Sequence, residues 1–226
     1  MTFVLQAYLD AKRKSIEHAL DQCLPPTTSP PANLHESIRY SVLSPGKRLR
    51  PTLVLAAAEA IGTSEDCVMP TACALECIHV FSLIHDDLPC MDNDDYRRGR
   101  LTNHKVYGEA LALLAGDALL ALAFQLIAEN VSTVPADRVL PTLRMIAEAS
   151  GTWGMVGGQV VDMDSQGQEV TQETLRYIHA HKTGALLTVS VLSGAMLAGA
   201  TNAQVDALRE YGTHIGLAFQ DRKSVV

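Results

Sequence analysis

From Phe3 to Leu24 apolar residues recur at helical spacing, with Val4, Leu5, Tyr8, Ile16 and Leu20 apolar and Lys12-Arg13-Lys14 turned outward. This predicts an amphipathic helix, ended by Pro25-Pro26-Thr27-Thr28-Ser29-Pro30-Pro31, which cannot continue it. A short helix is predicted over 34–43, stopped by Ser44-Pro45-Gly46. Another runs from about Arg48 to Ile61 and is closed by Gly62. Pro70, tolerated in a first turn, opens a helix whose Leu75, Ile78, Phe81, Leu83 and Ile84 leave almost no polar face, so it should be central. Thr102 or Asn103 begins the next ordered stretch. The run over 108–130 is long and apolar, with a bend expected near Gly116. Asp117 interrupts it, so it reads as a buried core helix and not as a membrane span. Further helices are predicted over 137–150, 153–161, 172–181, 183–197 and 204–219. With no β-type alternation, repeat or linker, residues 1–226 read as one all-α domain, an antiparallel helical bundle.

Composition narrows the function classes. The 226 residues are 47% apolar, 19% charged and only 5% aromatic, the profile of a folded soluble helical protein. A net charge of −7 argues against nucleic acid or an anionic membrane held by bulk charge. Five cysteines without a secretory signal fit a reducing cytoplasm. Cys73 and Cys77 share a helical face near His79, but zinc would need a fourth ligand that no spacing supplies, so buried apolar cysteines are the better reading.

The chemistry concentrates in 85–98, His-Asp-Asp-Leu-Pro-Cys-Met-Asp-Asn-Asp-Asp-Tyr-Arg-Arg. Carboxylates this dense repel one another unless cations neutralise them, and they far exceed what helix capping needs. Hard oxygen ligands suit Mg²⁺, which keeps several waters and bridges to substrate phosphates. The two arginines can grip the same phosphates through their forks. Asp86 and Asp92, six residues apart, would lie roughly 240° apart on an ideal helix. Pro89 resolves this: the helix must loosen after Leu88, and Asp92 can then return toward Asp86. Lys47, Arg48 and Arg50, opening a helix after Ser-Pro-Gly, form a second anion-binding cluster. Together these suggest two diphosphate pockets.

Over 34–220 the chain resembles the trans-prenyl diphosphate synthases. The markers are Gly46-Lys47-Arg48-Leu49-Arg50-Pro51, the Asp-Asp-x4-Asp motif with Arg97-Arg98, Gly157-Gly158-Gln159-x2-Asp162, His181-Lys182-Thr183-Gly184 and Phe219-Gln220. The resemblance implies the isoprenoid synthase fold and Mg²⁺ held by Asp86 and Asp92, with Asp87, Lys182 and Gln220 also catalytic. It implies Arg97, Lys182, Thr183 and Gln220 around an allylic diphosphate (dimethylallyl, geranyl or farnesyl). Lys47, Arg50, His79 and Arg98 would hold isopentenyl diphosphate, with Gln159 and Asp162 lining the cavity near the allylic group. Three of these assignments have structural alternatives. His79 can be a core histidine, Lys182-Thr183 a helix end and cap, and Gly151 to Gly158 a close-packing stretch. In the family's chemistry the allylic diphosphate departs and the double bond of isopentenyl diphosphate attacks the allylic cation. A proton is then lost, and apolar walls exclude water. A homodimer is also implied.

Phe81, five positions before Asp86 and followed by Ser82, favours a farnesyl-type product length by the family pattern. The wording over 88–95 and 102–106 looks closest to bacterial and plastid geranylgeranyl diphosphate synthases; a short-chain product is expected. After Phe219-Gln220 the family continues into a second aspartate-rich motif. Here 221–226 form an atypical tail with Lys223 where the family has an aspartate. The expectation is a C-terminally truncated chain, lacking the last helices and with little or no turnover. Two rivals remain. A terpene cyclase would need no isopentenyl diphosphate pocket, so Lys47, Arg50 and Arg98 speak against it. The missing second motif favours a non-catalytic partner subunit, while the intact first motif disfavours it, since such a partner would have little reason to keep Asp86, Asp92 and Arg97 together.

Overall fold

A computed structural model describes residues 3–224, with side chains described as far as Ala218. The described residues are mostly helical and fall into two compact units interleaved along the chain, 1–52 with 72–127 and 53–71 with 128–226. The first unit holds α1 (Leu5–Cys23), α2 (Ala32–Val42), most of α4 (Met69–Asp86), α5 (Asn103–Tyr107) and nearly all of α6 (Glu109–Glu129). The second holds most of α3 (Leu49–Ile61), α7 (Ala136–Ser150), α8 (Met155–Asp164), α9 (Gln172–Ile178), α10 (Ala185–Ala198) and α11 (Asn202–Ser224).

In the first unit Ile16 and Leu20 of α1, Ile38 and Val42 of α2 and Leu75, Ile78, Phe81 and Ile84 of α4 are buried. α4 is central, as its all-round apolar pattern requires. α6 departs from expectation. It buries Ala112, Ala115, Gly116, Leu119, Ala123, Leu126 and Ile127, yet Leu113 and Leu114 stand 45% and 54% exposed. The stretch Glu109–Ser132 is long and apolar enough to cross a membrane by length and composition, but only 39% of its apolar window is buried. An apolar pattern on every side does not reveal whether the second face meets the same chain. Gly116 serves close approach: a Cβ there would run into the His85 ring, which sits at hydrogen-bond distance from the Leu113 carbonyl (Nε2 to O, 3.0 Å).

A small hairpin was not foreseen. β1 (Tyr96–Arg97) pairs antiparallel with β2 (Arg100–Leu101). Its two-residue loop, Arg98-Gly99, has positive φ at both positions (53° and 76°), the backbone that suits the right-handed twist of a tight hairpin. Arginine at the first place hides the signal that Asn-Gly or Asp-Gly would give.

In the second unit α10 is the buried helix, with Leu186, Leu187, Val191, Leu192 and Leu197 at most 1% exposed. α7 and α11 pack against it. The predicted break near Lys182-Thr183 is absent. α9 passes into α10 through one π-helical segment, His179–Gly184, with helical φ and ψ on both sides and no side-chain cap.

Candidate diphosphate and metal site

α4 ends at Asp86, and the chain folds back: Leu88 N donates to His85 O, and Asp92 N donates to Asp86 O at 2.9 Å. The return that Pro89 demands therefore brings the backbone of Asp92 onto that of Asp86. Asp86 is half-buried and Asp92 exposed. Asp87 has a different setting. The residue is 3% exposed and its carboxylate is gripped by Arg97, whose Nε donates at 2.7 and 2.9 Å and whose Nη2 donates at 2.5 Å. Burial pushes the Asp87 carboxyl above its ordinary value, while the Arg97 fork pulls it back. Burial works against the charge of Arg97 too. The bond and charge of Asp87, with Asp86 and Asp94, outweigh it and hold Arg97 above its usual value. Asp87 is thus committed to positioning the hairpin. The cavity beside the Asp87–Arg97 pair, lined by Tyr40, Leu83, Arg100 and Asn103 among others, is about 50 Å³, room for water only.

The hairpin's next arginine takes a different partner. Arg98 Nη1 donates to the carbonyl of Pro45 at 2.8 Å, over Gly46. Lys47 on that turn is exposed, and Arg50 is half-buried with its Nε shut off from solvent and unpaired. Burial lowers Arg50 to about 10, against the pull of Glu76 and with the push of Arg98, so it stays cationic at neutral pH. Burial also lowers Arg98, and neighbouring Arg48 and Arg97 add to the effect. Arg50 and Arg98 are therefore close enough to act on each other, with the Glu76 carboxylate drawing on both, and Lys47 stands exposed on the same turn, a cationic group of the kind a diphosphate fills. His79 is half-buried on α4, and its carbonyl accepts from the Ser82 hydroxyl at 2.7 Å. Phe81 is 8% exposed, its ring edge-on to His85 at 4.8 Å.

Sequence reasoning grouped Arg48 with this basic face, but it turns inward. Its φ is 49° and it is 3% exposed; Nη1 donates to Glu76 at 2.7 Å and Nη2 to Ser44 O at 2.7 Å. Glu76, itself buried, was missed. The one signal available was a lone carboxylate on an otherwise apolar helix.

A second group lies in the other unit. Lys182, on the π segment, donates to Asp162 of α8 at 2.5 Å, and Gln159 lies one turn before Asp162. Thr183 follows Lys182 within the π segment. Gly158 lets α8 approach this closely, since a Cβ there would run into the backbone N of Lys182. That supports the close-packing reading of the glycine stretch. The side chain of Gln220 lies outside the described residues.

A polyprenyl synthetase family model matches residues 31–222. The chain is 51% identical to the geranylgeranyl diphosphate synthase of Cyanophora paradoxa over 96% of its length, covering 72% of that protein. It is 51% identical to a dimethylallyltranstransferase of Fischerella ambigua, of which it spans 63%, and 47% identical to the farnesyl diphosphate synthase of Bacillus subtilis, of which it spans 76%. The crystal structure of an FPP/GFPP synthase from Zymomonas mobilis superposes with a TM-score of 0.93 at 38% identity, over 98% of this chain and 80% of that one. With its aspartate and arginine groups in the family's order on an all-α frame, the chain belongs to the polyprenyl synthetase family.

Proposed function

We propose that this chain carries the site of a short-chain trans-prenyltransferase that joins isopentenyl diphosphate to an allylic diphosphate. The supporting observation is the hairpin. Its adjacent arginines take different partners, Arg97 the Asp87 carboxylate of the aspartate motif and Arg98 the Pro45 carbonyl at the start of the basic turn. One four-residue device thus ties an acidic, metal-suited group to a cationic, diphosphate-suited group. A cyclase needs only the first.

The donor set fits Mg²⁺. Asp86 and Asp92 offer only oxygen. Such hard donors suit Mg²⁺, which keeps several of its own waters. When bound, Mg²⁺ supplies positive charge against the leaving diphosphate. Lys47, Arg50 and Arg98 neutralise isopentenyl diphosphate and hold it as a positioned nucleophile. Arg97 serves the allylic diphosphate as its C–O bond breaks. The electron pair leaves with diphosphate, the isopentenyl double bond forms the new C–C bond, and a proton is lost. Gln159 and Asp162 fall on the allylic side by the family pattern. Phe81, buried against His85, favours a short product. A second copy of the chain covers the exposed face of α6, giving a homodimer.

Purified chain with Mg²⁺, isopentenyl diphosphate and dimethylallyl, geranyl or farnesyl diphosphate tests this. Any product formed is expected to be C15 or C20 and to need both substrates. Isopentenyl diphosphate is also expected to raise Tm, and Arg50→Ala or Arg98→Ala to abolish that rise. Products from the allylic substrate alone, or no stabilisation by isopentenyl diphosphate, would overturn the reading.

A further inference from the structure

The cationic group contains a buried charge that the chemistry above does not use. Glu76 sits in the middle of α4 and is 2% exposed. It pairs with Arg48 at 2.7 Å, and it also pulls electrostatically on Arg50 and Arg98. Three cations, Arg48, Arg50 and Arg98, act on or pair with this carboxylate, and Lys47 lies on the same turn. The other carboxylate near Arg48 is Glu17, 40% exposed and 3.9 Å from its Nε. The Nε atoms of Arg48 and Arg50 are buried without a hydrogen-bond partner.

A buried carboxylate among cations has two consequences. Through Arg48, which also reaches back to the Ser44 carbonyl, it ties the turn over 44–50 to α4. It also cancels part of the positive potential that would otherwise act on a bound diphosphate, and does so at low dielectric, where charge acts strongly.

We propose that Glu76 is a positioning residue for the isopentenyl diphosphate pocket, an internal counter-charge that holds the basic turn in place and limits how tightly the pocket grips a diphosphate. The reaction needs such a limit, since the same pocket must take up a diphosphate substrate and let it move on at every cycle. This rests on the reading that Lys47, Arg50 and Arg98 hold isopentenyl diphosphate.

The test uses Glu76→Gln, which keeps the shape and an acceptor oxygen for Arg48 but removes the charge. Isopentenyl diphosphate binding is titrated calorimetrically in EDTA, so that no metal recruits the ligand to the aspartates. The expected result has opposite signs in two readouts: Tm of the ligand-free protein falls, while Kd for isopentenyl diphosphate tightens about three- to tenfold, with a steeper dependence on salt. Glu76→Asp, which keeps the charge, should lose Tm yet stay within about twofold of the wild-type Kd. A merely structural Glu76 would lower Tm and leave Kd unchanged or weaker, and that outcome overturns the proposal. Arg48→Gln covers the case in which Glu76→Gln yields no folded protein. The carboxylate is then uncompensated, so Kd should weaken about tenfold in a variant of unchanged circular dichroism; an unchanged Kd overturns the proposal. Wild-type protein that does not bind isopentenyl diphosphate overturns instead the pocket reading beneath it.

Discussion

At the scale of single residues, the basic turn shows how far a motif speaks for itself. Lys-Arg-Leu-Arg announces cations, and Lys47 and Arg50 stand where that pattern places them, but nothing in four consecutive letters says that Arg48 points inward. That follows from its φ of 49° and from Glu76, twenty-eight residues away. Gly46 is similarly silent in sequence. A Cβ there would lie 2.5 Å from Arg98 Nη1 and 3.4 Å from Arg48 Nη1. The obstacle is the tip of a flexible arginine, so the backbone need not move; Arg98 must give way and lose its bond to the Pro45 carbonyl. Gly46→Ala is therefore expected to leave Tm within about 1 °C of wild type and to weaken isopentenyl diphosphate binding about three- to tenfold, the scale of one charged hydrogen bond. Titration calorimetry beside thermal melting checks it. A Tm loss with unchanged affinity would show that the glycine serves packing and not Arg98.

At the scale of elements, helices announced by apolar period and proline were legible to within a few residues: α1, α2, α3, α4 and α7 begin and end close to where pattern and punctuation put them. Legibility failed where geometry has no sequence mark. A π segment adds a residue to one helical turn without proline or glycine necessarily announcing it. The stretch His179–Gly184 therefore reads as the join of two helices although the chain never leaves helical backbone. Its packing is what holds it. Gly158 meets the backbone of Lys182 and His181 from α8, and Gly216 of α11 meets Gly184 Cα, where a Cβ would lie at 3.0 Å. Gly158→Ala sets a methyl against backbone that cannot rotate away, an overpacking cost of about 1–3 kcal/mol. For a chain of this size that lowers Tm by roughly 2–4 °C per kcal/mol. Gly216→Ala, facing looser contact, should cost less. Thermal melts of both variants decide it: equal shifts would mean that the close approach at Gly158 is not what fixes the Lys182–Asp162 bond.

At the scale of the whole molecule, the sequence reading of α6 was right about hydrophobicity and wrong about its consequence. A helix with mean hydropathy 2.1 over its apolar window would be expected to vanish into the core, yet only 39% of that window is buried. Small residues line its buried face, while Leu113 and Leu114 stand in the open. Water on a contiguous apolar helix face is costly, and such faces mark interaction sites. The occupant proposed is a second copy of this chain, in which case each copy removes the other's leucines from water. Leu114→Lys separates this from a monomer that tolerates an apolar face. At 54% exposure within one chain, lysine there should cost the isolated protomer little. In an interface it would bury an unpaired charge. Sedimentation velocity at micromolar concentration is expected to show a dimer for the wild type and a monomer of unchanged helicity for Leu114→Lys. A monomeric wild type, or a variant that remains dimeric, would mean that α6 is not the dimer face and that its exposed leucines meet something other than a second copy.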